Sequence, residues 1–180
     1  FSYNLDLAKE NLELAGFPNA NGLGLIVLNT TSAYLDLCEF IQSELKDIGI
    51  TLKIEVNPPS THRQMVATSK LSFFRGSWIA DYPDAENYLS LFYSDNFSPN
   101  GPNYTHFKSE EFDNLYEEAI KETDSELRSE MYQELDRLII KNSVVIPLYY
   151  DQVVRFYHIN ILDFYSNAQN SLNLKGVKKD

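Results

Sequence analysis

A chain of 180 residues amounts to about one ordinary domain, or one large lobe of something bigger, and 43% hydrophobic residues are ample for a packed core, which excludes a disordered chain. The formal net charge of −11 argues against a nucleic-acid partner, whose phosphates are gripped by Lys and Arg, and against docking on anionic lipid. A single cysteine, Cys38, excludes an internal disulfide and a cysteine-based zinc cluster, and no run approaches the roughly 18 apolar residues that span a bilayer.

In chain order, the first unit, NLDLAKENLELAGFP, predicts a helix capped by Asn4, with Ala8, Leu12 and Ala15 on one face, stopped by Gly16 and Pro18. Phe1 leads straight into that pattern without the charged start of a signal peptide, as expected of a segment of a longer protein. GLGLIVLNT (22–30) has the length and branched residues of a strand. A second helix is expected from Ser32, with Leu35, Cys38, Ile41, Leu45 and Ile48 at helical spacing. Cys38 falls on that stripe and reads as a small core residue. ITLKIEV (50–56) alternates strictly, with Ile50, Leu52, Ile54 and Val56 inward. After a proline loop, Thr61 and Gln64 suggest a capping box for a short third helix, and LSFFRGSWIA (71–80) reads as a third strand. Helices alternating with strands predict an α/β fold with a largely parallel or mixed sheet covered by helices.

Beyond that point the character of the chain changes. A helix carrying Tyr88, Leu91 and Phe92 is expected after Asp84, followed by a turn-rich loop over 94–107. Ser109 caps a further helix whose stripe is Phe112, Leu115, Tyr116, Ala119 and Ile120. Another runs from about Ser125 to Asn142, with Leu127, Met131, Leu135, Leu138 and Ile139 inside and acid on the outer face. VVIPLYYDQVVRFYH (144–158) is strand-like, with Pro147 placing part of it at an edge or bend. The Asn-rich tail lacks a periodicity.

Chemical motifs are scarce. His62, His106 and His158 have no metal-ligand spacing, and no glycine-rich phosphate loop or local nucleophile motif is present, so no metal, cofactor or enzymatic activity is expected. Twelve Tyr and 11 Phe against one Trp suit a core and also half-apolar, half-wet surfaces such as ligand clefts. The conspicuous stretch is FFRGSWIADYPDAENYLSLF (73–92). Asp84 reads as a helix N-cap. Asp81 lies at a strand end beside Trp78 and Tyr82, where open α/β folds place ligand sites, and can be a ligand contact or a loop residue. Arg75 can pair with an acid of a neighbouring element or meet a ligand. In a regular strand Arg75 and Asp81 share a face roughly 20 Å apart at most, a span that a short zwitterion could bridge. Trp78 would face the other way unless Gly76 introduces a bulge. A hydrolase using Asp81 with Asp84 or Glu86 is disfavoured, since those acids are close in sequence and one is cap-like.

The segment W-I-A-D-Y-P-D-A-E-N-Y, with the later E-F-D-N-L, T-D-S-E-L-R-S-E-M-Y and V-I-P-L-Y-Y, resembles the peptide-binding class of extracytoplasmic solute-binding proteins. These are the dipeptide, oligopeptide and nickel receptors of ABC importers. A-K-E-N-L-E-L-A-G-F-P and E-L-K-D-I-G-I-T-L-K-I-E-V resemble the same class, so the likeness covers nearly the whole chain. It implies the C-terminal lobe of a two-lobe periplasmic-binding-protein-like (type II) receptor, with residues 1–158 as the ligand-binding lobe and 159–180 as a return segment for the other lobe. It further implies that Asp81 holds a peptide's α-amino group, that Arg75 meets the carboxylate, and that Trp78 walls the side-chain pockets, with Tyr82 beside them. The implied partners are a short peptide or other small solute and, through the full-length receptor, an ABC-transporter permease. The implied location is periplasmic or extracellular, as a membrane-anchored lipoprotein. A peptide-sensing or regulatory module is the alternative.

Overall fold

Asn4 does cap the first helix: its Oδ1 accepts the Leu7 N–H at 3.0 Å, opening α1 (Leu5–Leu14). The helix ends at Gly16, whose φ of 85° lets the Gly16 and Phe17 N–H groups turn back to Glu13 and Leu12 carbonyls. The computed structural model describes residues 3–167 and 170–180. Residues 1–2, in the predicted lead-in, and 168–169, in the predicted return segment, lie outside the described residues. The chain divides into two units, Phe1–Ser77 and Trp78–Asp180.

In the first unit, β1 (Leu25–Thr30) and β2 (Thr51–Val56) pair in parallel, Leu28 opposite Ile54. Between them runs α2 (Leu35–Lys46), preceded by a 3₁₀ turn at Ser32–Tyr34. Leu28, Cys38 and Leu52 form the core, with Ile26, Ile41, Leu45, Ile54 and Phe73 around them. Cys38 is fully enclosed, as its place on the helical stripe predicts. The alternation of β2 holds at Leu52 and Ile54 but not at Val56, which is exposed where the strand outruns its cover. The third helix, α3 (Pro59–Ala67), starts at Pro59 without a side-chain cap, so the Thr61–Gln64 capping box does not form. Proline at the first helical position, with φ already set and no N–H to satisfy, does that work instead.

The predicted third strand shrinks to a single parallel bridge, Phe74 opposite Asn29. The Asn29 N–H donates to the Phe73 carbonyl at 3.1 Å and its carbonyl accepts from the Arg75 N–H at 2.9 Å. Strand pairing stops there. Gly76 and Ser77 contribute no apolar surface to hold a ladder, and Ile79 beyond them is 73% exposed. The regular-strand geometry expected to set Arg75 and Asp81 on one face therefore does not form.

The second unit is built on α5 (Glu110–Ala119) and α6 (Ser125–Lys141). Ser109 Oγ accepts the Phe112 N–H, and Asp124 caps α6 by accepting from Glu126 and Leu127. Phe112, Tyr116, Ala119, Leu135, Leu138 and Ile139 form its core together with Leu89 from a single turn, α4 (Glu86–Leu89). The expected aromatic helix stops after that turn and continues as a 3₁₀ turn, Ser90–Phe92. The 94–107 loop is tied internally by Asn103, wholly buried, whose Nδ2 donates to the Tyr93 and Phe107 carbonyls, both at 3.0 Å. Gly101 lies so close to the Asn96 carbonyl that a side chain there would collide with backbone.

Residues 144–158, expected as a strand, take no strand pairing. Leu148, Tyr150, Val154 and Phe156 on one parity and Tyr149, Val153 and Tyr157 on the other are all exposed. The sequence has the residues of a strand buried on both faces, but no neighbouring strand pairs with it. A small ladder, β3 (Ile161–Leu162) with β4 (Lys178–Lys179), forms instead in the tail that lacked a readable period. No described helix is long and apolar enough to cross a membrane.

Candidate ligand-binding site

Arg75 belongs to the first unit, where its main chain is fixed on both sides. Asn29 takes its N–H, and His62 Nε2 lies 3.1 Å from its carbonyl oxygen. His62 is buried on α3; since a carbonyl oxygen only accepts, Nε2–H is the donor, and the other ring nitrogen, Nδ1, has no partner among the described residues. The guanidinium carbon of Arg75 sits 3.3 Å from the centroid of the Tyr34 ring, and an Nη1–H donates to Ser77 Oγ at 3.2 Å. The structure thus gives Arg75 an aromatic face as neighbour where an acid was one of the sequence expectations.

Trp78, Asp81 and Tyr82 belong to the second unit, in a segment with no helix or strand of its own. Asn87, on α4, organises it. Its Oδ1 accepts the indole Nε1–H of Trp78 at 2.8 Å and the main-chain N–H of Asp81 at 3.1 Å. Trp78 is half-buried and Asp81 is exposed. Asn87 itself is 4% exposed, and sequence reasoning passed over it. The available signal was an amide on the helix that Asp84 was expected to cap.

Asp84 falls one residue short of the expected N-cap, which is Ala85 and carries no side-chain cap; its Oδ1 still accepts the Glu86 N–H at 2.9 Å, while Oδ2 lies 3.4 Å from an Arg128 nitrogen on α6. Glu86 is equally engaged, accepting hydrogen bonds from the Tyr82 and Tyr116 hydroxyls. These groups, with Arg128 and Tyr132, line an open pocket of about 390 Å³ that the sequence did not announce. Burial, then the Glu86 hydrogen bond, pushes the Tyr116 hydroxyl pKa up. Tyr82 is raised chiefly by Glu86, with Asn87 pulling the other way. Burial, then the charge of Asp84, raises Tyr132. Among the described residues no three His, Cys, Asp or Glu side chains converge to hold a metal ion.

Tyr93, bonded through its hydroxyl to Glu117 at 2.9 Å, is raised from 10.0 to about 12, first by that bond. A raised folded-state value stabilises the fold fully below the unfolded value and loses that contribution as pH climbs through the folded one. Stability should therefore decline between pH 10.0 and about 12. Urea unfolding followed across that window checks it: Tyr93→Phe should flatten the decline, and an unchanged slope would count against the Tyr93–Glu117 bond.

A short parallel sheet backed by helices, followed by a helical unit bearing an aromatic and acidic turn, defines one α/β lobe of the kind found in two-lobe binding proteins. The family model described as bacterial extracellular solute-binding proteins, family 5 Middle, matches residues 1–100, and the chain belongs to that family. The periplasmic oligopeptide-binding protein OppA of Salmonella typhimurium is 29% identical over 145 residues, covering 79% of this chain and 26% of that protein. The periplasmic binding protein DppA of Helicobacter pylori, solved with the peptide STSA, is 29% identical with a TM-score of 0.71, over 80% of this chain and 28% of that one. Clavulanic acid biosynthesis oligopeptide binding protein 2 shares the fold with a TM-score of 0.86 at 21% identity, over 98% of this chain and 34% of its own. The chain thus spans only about a quarter to a third of these relatives.

Proposed function

We propose that this chain is the C-terminal ligand-binding lobe of an ABC-importer receptor for short peptides. The observation that carries the reading is the Asn87-braced turn presenting Trp78 and Asp81 side by side, in a chain whose relatives are named for peptide binding. Asp81 receives the peptide's α-amino group, because an ionised carboxylate on an ammonium forms a strong charge-assisted bond. Arg75 receives the carboxylate of peptides long enough to reach it. Trp78 and Tyr82 wall the side-chain space with rings that tolerate varied residues. Main-chain groups of the peptide are met as in strand addition, without regard to side chain.

Residues 1–158 form this lobe, and 159–180 return to a second lobe that closes over the ligand by hinge motion. The exposed apolar residues of 144–158 fit the same reading, since a strand with two apolar faces needs a sheet to enter. The full-length receptor acts outside the cytoplasmic membrane, held by a lipid anchor, and delivers peptide to its permease. Calorimetry on the full-length protein with peptides of two to five residues tests the function. Micromolar or tighter binding, much weakened when the peptide's amino terminus is acetylated, is expected; no binding across the series overturns it.

A further inference from the structure

Trp78, Asp81 and Tyr82, three of the residues proposed to meet the ligand, sit in a stretch that no ladder or helix holds. From 78 to 85 the chain has only bends and a turn. Something else must fix the indole of Trp78 relative to Asp81, and the hydrogen bonds name it. A carbonyl oxygen has two lone pairs, and Asn87 Oδ1 spends both, one on the Trp78 indole N–H and one on the Asp81 main-chain N–H. Asn87 is in turn held from three directions. Its N–H donates to the Asp84 carbonyl at 3.2 Å, its carbonyl accepts from Ser90 Oγ at 3.0 Å, and Asp84, whose Oδ1 accepts the Glu86 N–H, is paired with Arg128 of α6. The buried amide is thus linked, through its own turn and Asp84, to α6.

We propose that Asn87 is a positioning residue for the ligand site, its amide oxygen setting Trp78 and Asp81 in one fixed arrangement before any ligand arrives. The proposal rests on the functional reading above. Its chemistry is that of preorganisation: a ligand that meets an already placed ring and an already fixed main chain at Asp81 does not spend binding energy on ordering them. A leucine of similar size fills the space but accepts nothing, so both N–H groups must turn to water and the loop opens with them. A purely structural amide would only lower stability when lost. A positioning amide also changes the environment of the indole and the affinity, and an aspartate, which keeps the acceptor, restores both.

The test uses the full-length protein. The Trp78 Nε1–H resonance is assigned in ¹H–¹⁵N spectra by its disappearance in Trp78→Phe. Titration with trialanine then gives the affinity. Asn87→Leu should shift that resonance, speed its exchange with solvent, and weaken trialanine binding by about tenfold or more. Asn87→Asp should return the resonance and most of the affinity. If Asn87→Leu fails to fold, Asn87→Ser, whose hydroxyl cannot reach both donors, takes its place. The proposal is overturned if affinity stays within about twofold of wild type. It is also overturned if the indole signal does not move, or if Asn87→Asp is as weak as Asn87→Leu. Wild-type protein that binds no peptide at all would instead bring down the functional reading, and the ligand-positioning role with it.

Discussion

Asp81→Asn in the full-length protein should weaken binding of a free-amine tripeptide by roughly 30-fold or more, since removing one member of a hydrogen-bonded charge pair inside a closed site costs about 2–5 kcal/mol. The substitution keeps shape and removes charge, so the loss reads the ammonium–carboxylate attraction rather than packing. The Asp81 main-chain N–H still reaches Asn87 Oδ1 in the variant, which leaves the turn itself in place. A second titration makes the reading specific. The N-acetylated tripeptide should bind wild type and Asp81→Asn with nearly equal, weak affinity, because it has no ammonium for either to hold. If Asp81→Asn loses as much affinity for the acetylated peptide as for the free one, Asp81 acts on the fold of the cleft and not on the amino group. If it loses none for either, the α-amino group is bound elsewhere.

How much of this was legible in the sequence depends on whether a residue's partner is local. Ser109 and Asn4 cap the helices they were expected to cap, because the donors they satisfy lie three residues on. Cys38, Leu135 and Leu138 are buried where helical spacing put them. Apart from the Thr61–Gln64 capping box, which the helix start at Pro59 pre-empts, the larger misreadings came where a partner is distant in sequence. The run 71–80 has strand composition, yet only Phe74 bridges to β1, and composition cannot say how many rungs a neighbour will offer. The run 144–158 has the apolar content of a central strand, and no strand pairs with it here. Asp81 and Trp78 could be singled out as oddities of a turn, whereas Asn87 could not. An amide one residue into a short helix gives no periodic signal, and its role emerges only once the chain before it folds back across it.

The core of the second unit carries the other large expected effect. Phe112 is completely enclosed, edge-on to Phe107 with ring centroids 5.7 Å apart and stacked on Tyr116 at 6.2 Å. Truncating it in Phe112→Ala forfeits the transfer energy of a whole ring and leaves a cavity that two helices and a turn cannot close. A loss of about 3–5 kcal/mol is expected, or roughly 6–20 °C in melting temperature if the 180 residues melt as one. Phe112→Leu, which keeps much of the volume, should cost distinctly less. Ile79→Ala, at a residue 73% exposed, should change stability by no more than about 0.5 kcal/mol. The consequence extends toward the site, since Tyr116 stacks on Phe112 and donates its hydroxyl to Glu86 on α4, the same turn that carries Asn87. Phe112→Ala should therefore also speed solvent exchange of the Trp78 indole N–H, although no atom of Phe112 need touch it. Thermal melts and indole exchange measured on the same three variants decide the matter. A Phe112→Ala melt within about 2 °C of wild type would mean that this ring is not the centre of the core.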